Sequence, residues 1–96
     1  MTKVIIKENY LEVSGHANQN EYGKDIVCSS VSTALIMTIN LIEKFSQLND
    51  IKYQIKEGYF QLEYNKNNKI VNNIVENLKY TLNELFIKYP KYIKIN

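Results

Sequence analysis

The sequence predicts an α+β fold: a two-layer α/β sandwich in which a small, mostly antiparallel sheet carries two helices on one face. Two observations support this fold class. Short segments alternate apolar and polar residues with the two-residue period of strands, and two longer segments repeat apolar residues at helical spacing. Their order along the 96 residues is β-β-α-β-β-α-β. No linker or internal repeat separates them, so we expect one domain over residues 1–96.

Four strands are predicted in two hairpins, which span residues 4–7 with 10–14 and residues 51–55 with 60–64. The first pair is joined near Glu8-Asn9. Glu57-Gly58 supplies the turn chemistry of the second pair. Because apolar residues occupy every second position, each hairpin is expected to bury one face and to leave the other in water.

One helix is predicted after each hairpin. The first covers residues 25–45, and its wide apolar stripe indicates that it is largely buried. The second covers residues 71–89, is clearly amphipathic, and ends before Pro90. The tail KYIKIN is long enough for one last strand, at a position in the sheet that the sequence leaves open.

Charge and hydropathy exclude several classes of function. Twelve lysines and ten acidic residues give a formal charge of +2, without any arginine, so nucleic acid is not an expected partner. The first ten residues hold an apolar run of only three, too short for a signal peptide. Scattered Ser, Thr and Asn in the first helix argue against a membrane span. A lone cysteine cannot form a disulfide within the chain, which favours a cytoplasmic location.

The stretch GHANQNEYGKDIVCSS, residues 15–30, holds the only histidine and the only cysteine of the chain. If the first helix begins with Asp25 as its N-cap, Cys28 lies in the first turn, where free amides and the helix dipole stabilise a thiolate. The same amides could bind an oxyanion. His16 follows Gly15 at the end of the second strand, so imidazole and thiol can meet as base and nucleophile for acyl transfer.

Other interpretations of these residues stay open at this point. A lone cysteine is often an inert core residue, a strand-end histidine is often only solvated, and Gly15 and Gly23 are ordinary turn residues. The loop over residues 17–24 lacks apolar anchors, which suggests a mobile lid. Too few Cys and His side chains are present for a zinc site, and no phosphate-binding glycine motif occurs, so neither a metal nor a cofactor is expected.

At these residues the sequence resembles the ribosomal-processing cysteine protease family, Prp, also called YsxB-like. The family pattern is a G-H-A element, a short variable loop and a G-x-D-I-V-C-A-A-V-S element. Here Gly15-His16-Ala17, Gly23, Asp25-Ile26-Val27-Cys28 and Val31-Ser32 match it with the same spacing between histidine and cysteine. The chain length and the order of strands and helices also agree with the family.

The resemblance implies a cytoplasmic endopeptidase that removes a short N-terminal extension from a ribosomal protein of the large subunit, the one numbered twenty-seven in conventional naming. It implies Cys28 and His16 as the catalytic pair, Asp25 and Ser32 as supporting residues beside Gly15 and Gly23, and a homodimer. We expect Asp25 to cap the helix and shape the site. Ser32, one turn beyond Cys28, is expected on the same helix face.

Two departures from the family pattern concern the surroundings of the thiol. Ser29-Ser30 replaces the usual alanine pair, and the loop ANQNEYGK differs in sequence from the loops usual in the family. These differences bear on substrate preference more than on mechanism. The competing hypothesis is a non-catalytic ribosome-associated binding module, in which Cys28 packs in the core and exposed tyrosines and lysines make the contacts.

Overall fold

Within residues 1–15 and 22–96, five strands and two α-helices follow one another in the predicted order. The computed structural model of the protein describes residues 1–15 and 22–96, and for residues 22–25 it describes the backbone alone. A short 3-10 helix at Leu48–Asp50, which the sequence pattern did not predict, leads into the third strand. The elements are β1 (Thr2–Lys7), β2 (Tyr10–Ser14), α1 (Tyr22–Lys44), β3 (Ile51–Lys56), β4 (Tyr59–Tyr64), α2 (Lys69–Lys88) and β5 (Ile93–Ile95).

The strands form one sheet in the order β3-β4-β2-β1-β5. Neighbouring strands are antiparallel except β5, which pairs with β1 in parallel at one edge. The two hairpins turn where the sequence predicts, with positive φ angles of 51° at Asn9 and 73° at Gly58. Both residues tolerate this backbone region better than most. The mostly antiparallel sheet is therefore confirmed, and the open question about the tail is answered by the edge position of β5.

One face of the sheet is buried under both helices. Val4 pairs with Val13, and Val13 with Phe60, so these three side chains share a face. All three are at most 5% exposed and belong to one core cluster with buried residues of α1 and α2. Period-two alternation in the strands thus meets the apolar stripes of the helices, and the prediction of two helices on one face is confirmed.

Helix α1 begins at Tyr22, three residues before the predicted start at Asp25. Gly23 and Lys24 therefore belong to the helix and not to the preceding loop. Acidic residues are favourable throughout a first turn, so the aspartate alone did not define where the helix starts. The prediction of Asp25 as the N-cap is wrong, because this residue is the fourth of the helix.

Packing explains only part of the apolar character of α1. Only 33% of its apolar segment is buried, and Ile36, Met37 and Leu41 are exposed, so the prediction of a largely buried helix is wrong. Residues 26–44 have a mean hydropathy of 1.6, which by length and composition alone would allow the helix to cross a membrane. In the structure this segment supplies six buried side chains, and all of them except Thr38 belong to the core cluster. They are Val27, Val31, Leu35, Thr38, Ile39 and Ile42.

A cluster of polar side chains connects the start of α2 to the segment between α1 and β3. The side-chain oxygen of Asn68 accepts a hydrogen bond from the backbone N–H of Val71 at 3.1 Å and caps α2. Its amide nitrogen donates to Gln47 Oε1 at 2.7 Å and to Asp50 Oδ2 at 2.5 Å. Asn68 therefore holds the helix start to the segment between α1 and β3.

We expect Asn68→Ala to lower the free energy of unfolding by about 1–2 kcal/mol, because it removes a helix cap and leaves its partners without their donor. Urea denaturation measures the difference. Asn73→Ala is the matched control, since Asn73 is exposed in the same helix and its replacement should change stability by less than about 0.5 kcal/mol. Equal stabilities of the two variants would contradict the capping role.

The face of the sheet without helices carries a second polar group of side chains. The phenol of Tyr10 donates to Glu12 Oε1 at 2.6 Å and accepts from Gln61 Nε2 at 3.2 Å. The hydrogen bond to Glu12, followed by desolvation, raises the pKa of Tyr10 from 10.0 to about 12. Ionisation of the phenol would lose this hydrogen bond and place two negative charges side by side.

The tyrosinate absorbance of Tyr10, obtained by subtracting the titration of Tyr10→Phe from that of the unaltered protein, should have its midpoint near pH 12. Glu12→Gln should move that midpoint down. Because the folded-state pKa is raised, the stabilisation from Tyr10 is present below pH 10 and is lost as the pH rises towards 12. A Tyr10 midpoint at the ordinary tyrosine value in the unaltered protein would contradict the hydrogen bond.

Candidate active site

A cavity of about 500 Å³ opens between the first half of α1 and the ends of four strands, β1 to β4. Its floor is apolar, and its rim is partly polar. The chain reaches it at four separate places: the start of β1, the end of β2, one flank of α1 and the β3-β4 turn. The lining residues are Thr2, Val13, Ser14, Gly15, Cys28, Val31, Ser32, Leu35, Ile36, Ile55, Lys56, Glu57, Gly58, Tyr59 and Phe60.

Cys28 lies on the flank of α1 that borders this cavity. Its neighbours in the helix stripe, Val27 and Val31, are 0% and 3% exposed, whereas Cys28 is half-buried and carries a free thiol. One residue advances a helix by about 100°, which moves Cys28 from the centre of the buried stripe to its edge. The sulfur is thus held by the core and still faces a space that a ligand can enter.

Cys28 is the seventh residue of α1 and does not occupy the first turn. The predicted position three residues after an N-cap is wrong because the helix starts earlier. Only the first four N–H groups of a helix lack partners within it, and the effect of the helix dipole declines after the first turn. The backbone N–H of Cys28 is therefore not a free oxyanion donor, and the helix field on its sulfur is weaker than predicted.

Ser32 lines the same cavity as Cys28, on the exposed side. This agrees with the predicted placement one helical turn after the cysteine. Ser29 is exposed and Ser30 is half-buried, and neither is among the described residues that line the cavity. The serine pair that departs from the family pattern thus lies beside the thiol in sequence but outside the cavity wall.

Gly15 brings the end of β2 against the beginning of the chain. Its N–H donates to the carbonyl of Gly58 at 3.0 Å. A Cβ atom on Gly15 would lie 2.7 Å from the Met1 carbonyl oxygen and 3.0 Å from Thr2 Cα, closer than non-bonded atoms pack. The missing side chain therefore lets β1, β2 and the β3-β4 turn converge beside Cys28, as the predicted meeting of strand end and helix requires.

Several predicted features lie outside the described residues. These are His16 itself, the greater part of the predicted lid over residues 17–24, and the side chain of Asp25. The last part of that predicted lid, from Tyr22 onward, is the first turn of α1. His16 follows directly after Gly15 in the chain, and Gly15 lines the cavity of Cys28.

Two parts of the site were not predicted from the sequence. Thr2 is 5% exposed, and its Oγ1 lies 3.9 Å from Cys28 Sγ. A signal for it exists, because Thr2 precedes Val4 by two residues and so shares the buried face of β1. The wall formed by Ile55 to Tyr59 carries no local signal, since it depends on how the second hairpin meets α1.

Gly15→Ala should lower the free energy of unfolding by about 2 kcal/mol, because the new methyl group forces the backbone of Met1 and Thr2 to shift. Thermal and urea denaturation measure the loss. Ser14→Ala is the control at the adjacent position and should change stability by less than about 1 kcal/mol. A Gly15→Ala variant as stable as Ser14→Ala would contradict the close approach.

Comparisons with known proteins indicate one family over nearly the whole chain. The family described as Cysteine protease Prp matches residues 1–94. The ribosomal processing cysteine protease Prp of Staphylococcus aureus strain Mu50 is 31% identical over 86 residues, which are 88% of this chain and 81% of that protein.

Two solved structures share the fold. SMU.848 from Streptococcus mutans superposes with a TM-score of 0.79 at 27% identity and covers 99% of this chain and 90% of its own. The essential ribosomal processing protease Prp from S. aureus, in complex with a substrate peptide, superposes with a TM-score of 0.78 at 23% identity, covering 99% and 95%. The second likeness supports the fold, and the match over residues 1–94 carries the family.

Proposed function

Because this chain belongs to the Prp family of cysteine proteases, we propose that it removes a short N-terminal extension from a large-subunit ribosomal protein, the twenty-seventh. Cys28 is the nucleophile of this proposal and His16 is its base. The resemblance stated from Gly15-His16-Ala17 and Asp25 to Cys28 is confirmed at the level of the family. So is the prediction that the protein is a cysteine peptidase.

One observation carries the assignment of the nucleophile. The 96 residues contain a single cysteine, and its half-buried thiol borders a cavity of about 500 Å³. A cysteine peptidase needs a thiol, and its substrate must be able to reach that thiol. Cys28 supplies the thiol and borders the cavity, whereas the binding-module hypothesis required a cysteine that packs in the core.

The assignment of His16 as the base rests on composition and connectivity. It is the only histidine of the chain, and it is bonded to Gly15, which lines the cavity of Cys28. Imidazole is the side chain best suited to accept a thiol proton near neutral pH. Asp25 and Gly23 then support the site from the first turn of α1, and Ser32 supports it from the cavity wall.

The proposed reaction proceeds in two steps. His16 accepts the thiol proton, and the sulfur attacks the carbonyl carbon of the scissile peptide bond. His16 then returns the proton to the departing amine, which is the new N-terminus of the ribosomal protein, and a thioester with the extension remains on Cys28. In the second step His16 accepts a proton from water, and the resulting hydroxide adds to the carbonyl carbon of the thioester. The C–S bond then breaks, His16 returns the proton to the Cys28 sulfur, and the extension leaves with a new C-terminal carboxyl group.

The cavity supports an extended peptide as substrate. Its floor of Val31, Leu35 and Phe60 is apolar, and Ile55 and Ile36 at its mouth are about half exposed, so it suits an apolar side chain beside the scissile bond. Strand β3 is at the edge of the sheet, and its last residues line the cavity. A substrate strand could pair with this edge through backbone hydrogen bonds.

The test is cleavage of the extended ribosomal protein precursor by the purified protein. The unaltered protein should release the extension. Cys28→Ala should abolish release, and His16→Ala should lower kcat by about 10²- to 10⁴-fold through loss of the general base. Thr38→Val is the matched control: Thr38 is buried in α1 with its hydroxyl bonded to the Ala34 carbonyl at 2.8 Å, and it does not line the cavity.

Three outcomes would contradict the proposal. Uncut precursor with the unaltered protein would reject the substrate, and binding of the precursor without cleavage would favour the binding module. Cleavage by Cys28→Ala at the unaltered rate would reject the nucleophile. Mass spectrometry of the released peptide identifies the bond that is cut.

Two further properties implied by the resemblance belong to the proposal. A single thiol without a disulfide partner in the chain supports action in the reducing cytoplasm. A homodimer is proposed as the working form, and sedimentation velocity at micromolar concentration tests it directly. A single species with the mass of one chain, 11.3 kDa, would contradict the homodimer.

A further inference from the structure

Thr2 places a hydroxyl group beside the thiol of Cys28. The distance from Thr2 Oγ1 to Cys28 Sγ is 3.9 Å, and both residues line the cavity. Thr2 is only 5% exposed, so water has little access to compete for its hydroxyl. Within the described part of the chain, the hydrogen-bonding partner of the Thr2 hydroxyl is the Cys28 sulfur.

The position of Thr2 is fixed from three sides. Its N–H donates to the carbonyl of Tyr92 at 2.9 Å, and it pairs with Ile93 across the β1-β5 ladder. On the third side, Gly15 approaches so closely that a Cβ would lie 3.0 Å from Thr2 Cα. The hydroxyl is therefore presented to the sulfur by a strand whose backbone has little freedom to move.

A buried threonine need not contact a reactive group, as Thr38 shows. The Thr38 hydroxyl donates to the Ala34 carbonyl one turn earlier, at 2.8 Å, which is the usual arrangement in helices. Thr2 is the first residue of β1, so it has no carbonyl one helical turn earlier to which its hydroxyl could donate. Its hydroxyl instead points to a side chain 26 residues away in the sequence.

We propose that Thr2 is a positioning residue for the reaction, which holds the Cys28 sulfur in its cavity-facing orientation and donates a hydrogen bond to the thiolate. This inference rests on the proposed function, in which Cys28 is the nucleophile. The hydroxyl keeps its proton throughout, since His16 accepts the thiol proton. The Thr2 hydroxyl stabilises the negative charge on sulfur before attack, and it loses this interaction once the thioester forms.

The distance of 3.9 Å between Thr2 Oγ1 and Cys28 Sγ is long for a hydrogen bond. Catalytic hydrogen bonds are often long in free enzymes and shorten in the reacting complex. Hydrogen bonds to charged groups are also shorter and stronger than those to neutral groups. Formation of the thiolate should therefore strengthen the contact, so removal of the hydroxyl should affect the reactive form more than the resting form.

The test compares Thr2→Val, which keeps the shape but removes the hydroxyl, with Thr2→Ser, which keeps the hydroxyl. Two readouts are measured: kcat and KM on the extended precursor, and the rate of iodoacetamide alkylation against pH. Alkylation reports on Cys28 alone because the chain has one cysteine. Thr38→Val controls for loss of a buried threonine hydroxyl in the same molecule.

Thr2→Val should lower kcat about tenfold with little change in KM, as expected for one hydrogen bond to a charged group. It should also shift the alkylation profile to higher pH. Thr2→Ser should restore both, and Thr38→Val should change neither. If Thr2→Val does not fold, as judged by thermal denaturation, the comparison of Thr2→Ala with Thr2→Ser takes its place.

Unaltered kcat and an unaltered alkylation profile in Thr2→Val would overturn the inference and leave the proposed function intact. An equal loss in Thr2→Val and Thr2→Ser would also overturn it, because a packing role would then explain both. Failure of the proposed function has a different signature, which is cleavage by Cys28→Ala at the unaltered rate. The alkylation arm needs no substrate, so it tests the contact between Thr2 and the thiol in either case.

Discussion

Burial of one stripe of α1 against the sheet is the interaction on which the rest of the structure depends. Val27, Val31 and Leu35 are at most 7% exposed, and full burial of such side chains contributes about 1.5–3 kcal/mol each. This packing fixes the rotation of the helix about its axis. Cys28, next to Val27, is therefore held at the border between core and cavity, and Ser32, next to Val31, is held at the cavity wall.

The site depends on contacts between distant parts of the sequence. Thr2 lies 26 residues before Cys28, and the turn at Gly58 follows it by 30 residues, yet all three line one cavity. Gly15 permits this convergence because it leaves room for the backbone of Met1 and Thr2. The thiol thus owes its surroundings to the sheet order β3-β4-β2-β1-β5, in which the first and second hairpins meet at β2 and β4.

Most of the fold could be predicted from local patterns, because alternation in strands and apolar stripes in helices follow from which face is buried. The turns at Asn9 and Gly58 were also readable from turn chemistry. The start of α1 was not, since Asp25 suits both a cap and a first turn. The strand at Thr2 and its contact with Cys28 could not be predicted in full, because they depend on the parallel pairing with β5 and the close approach of Gly15.

The family pattern identified the residues that matter, and the structure changes the physical reason for one of them. Cys28 lies in the second turn of α1, so its environment consists mainly of the cavity wall and the Thr2 hydroxyl, with a smaller part for the helix terminus. Within the proposed mechanism, His16 then carries most of the activation of the thiol.

The most direct measurement of the central claim is the intact mass of the protein after rapid acid quenching of a reaction with the extended precursor. The expected result is a transient increase by the mass of the acylated extension, located on Cys28 by fragmentation and removed by hydroxylamine as a thioester would be. Precursor that is cleaved at the full rate by Cys28→Ala, or an adduct located on any other residue, would contradict the claim.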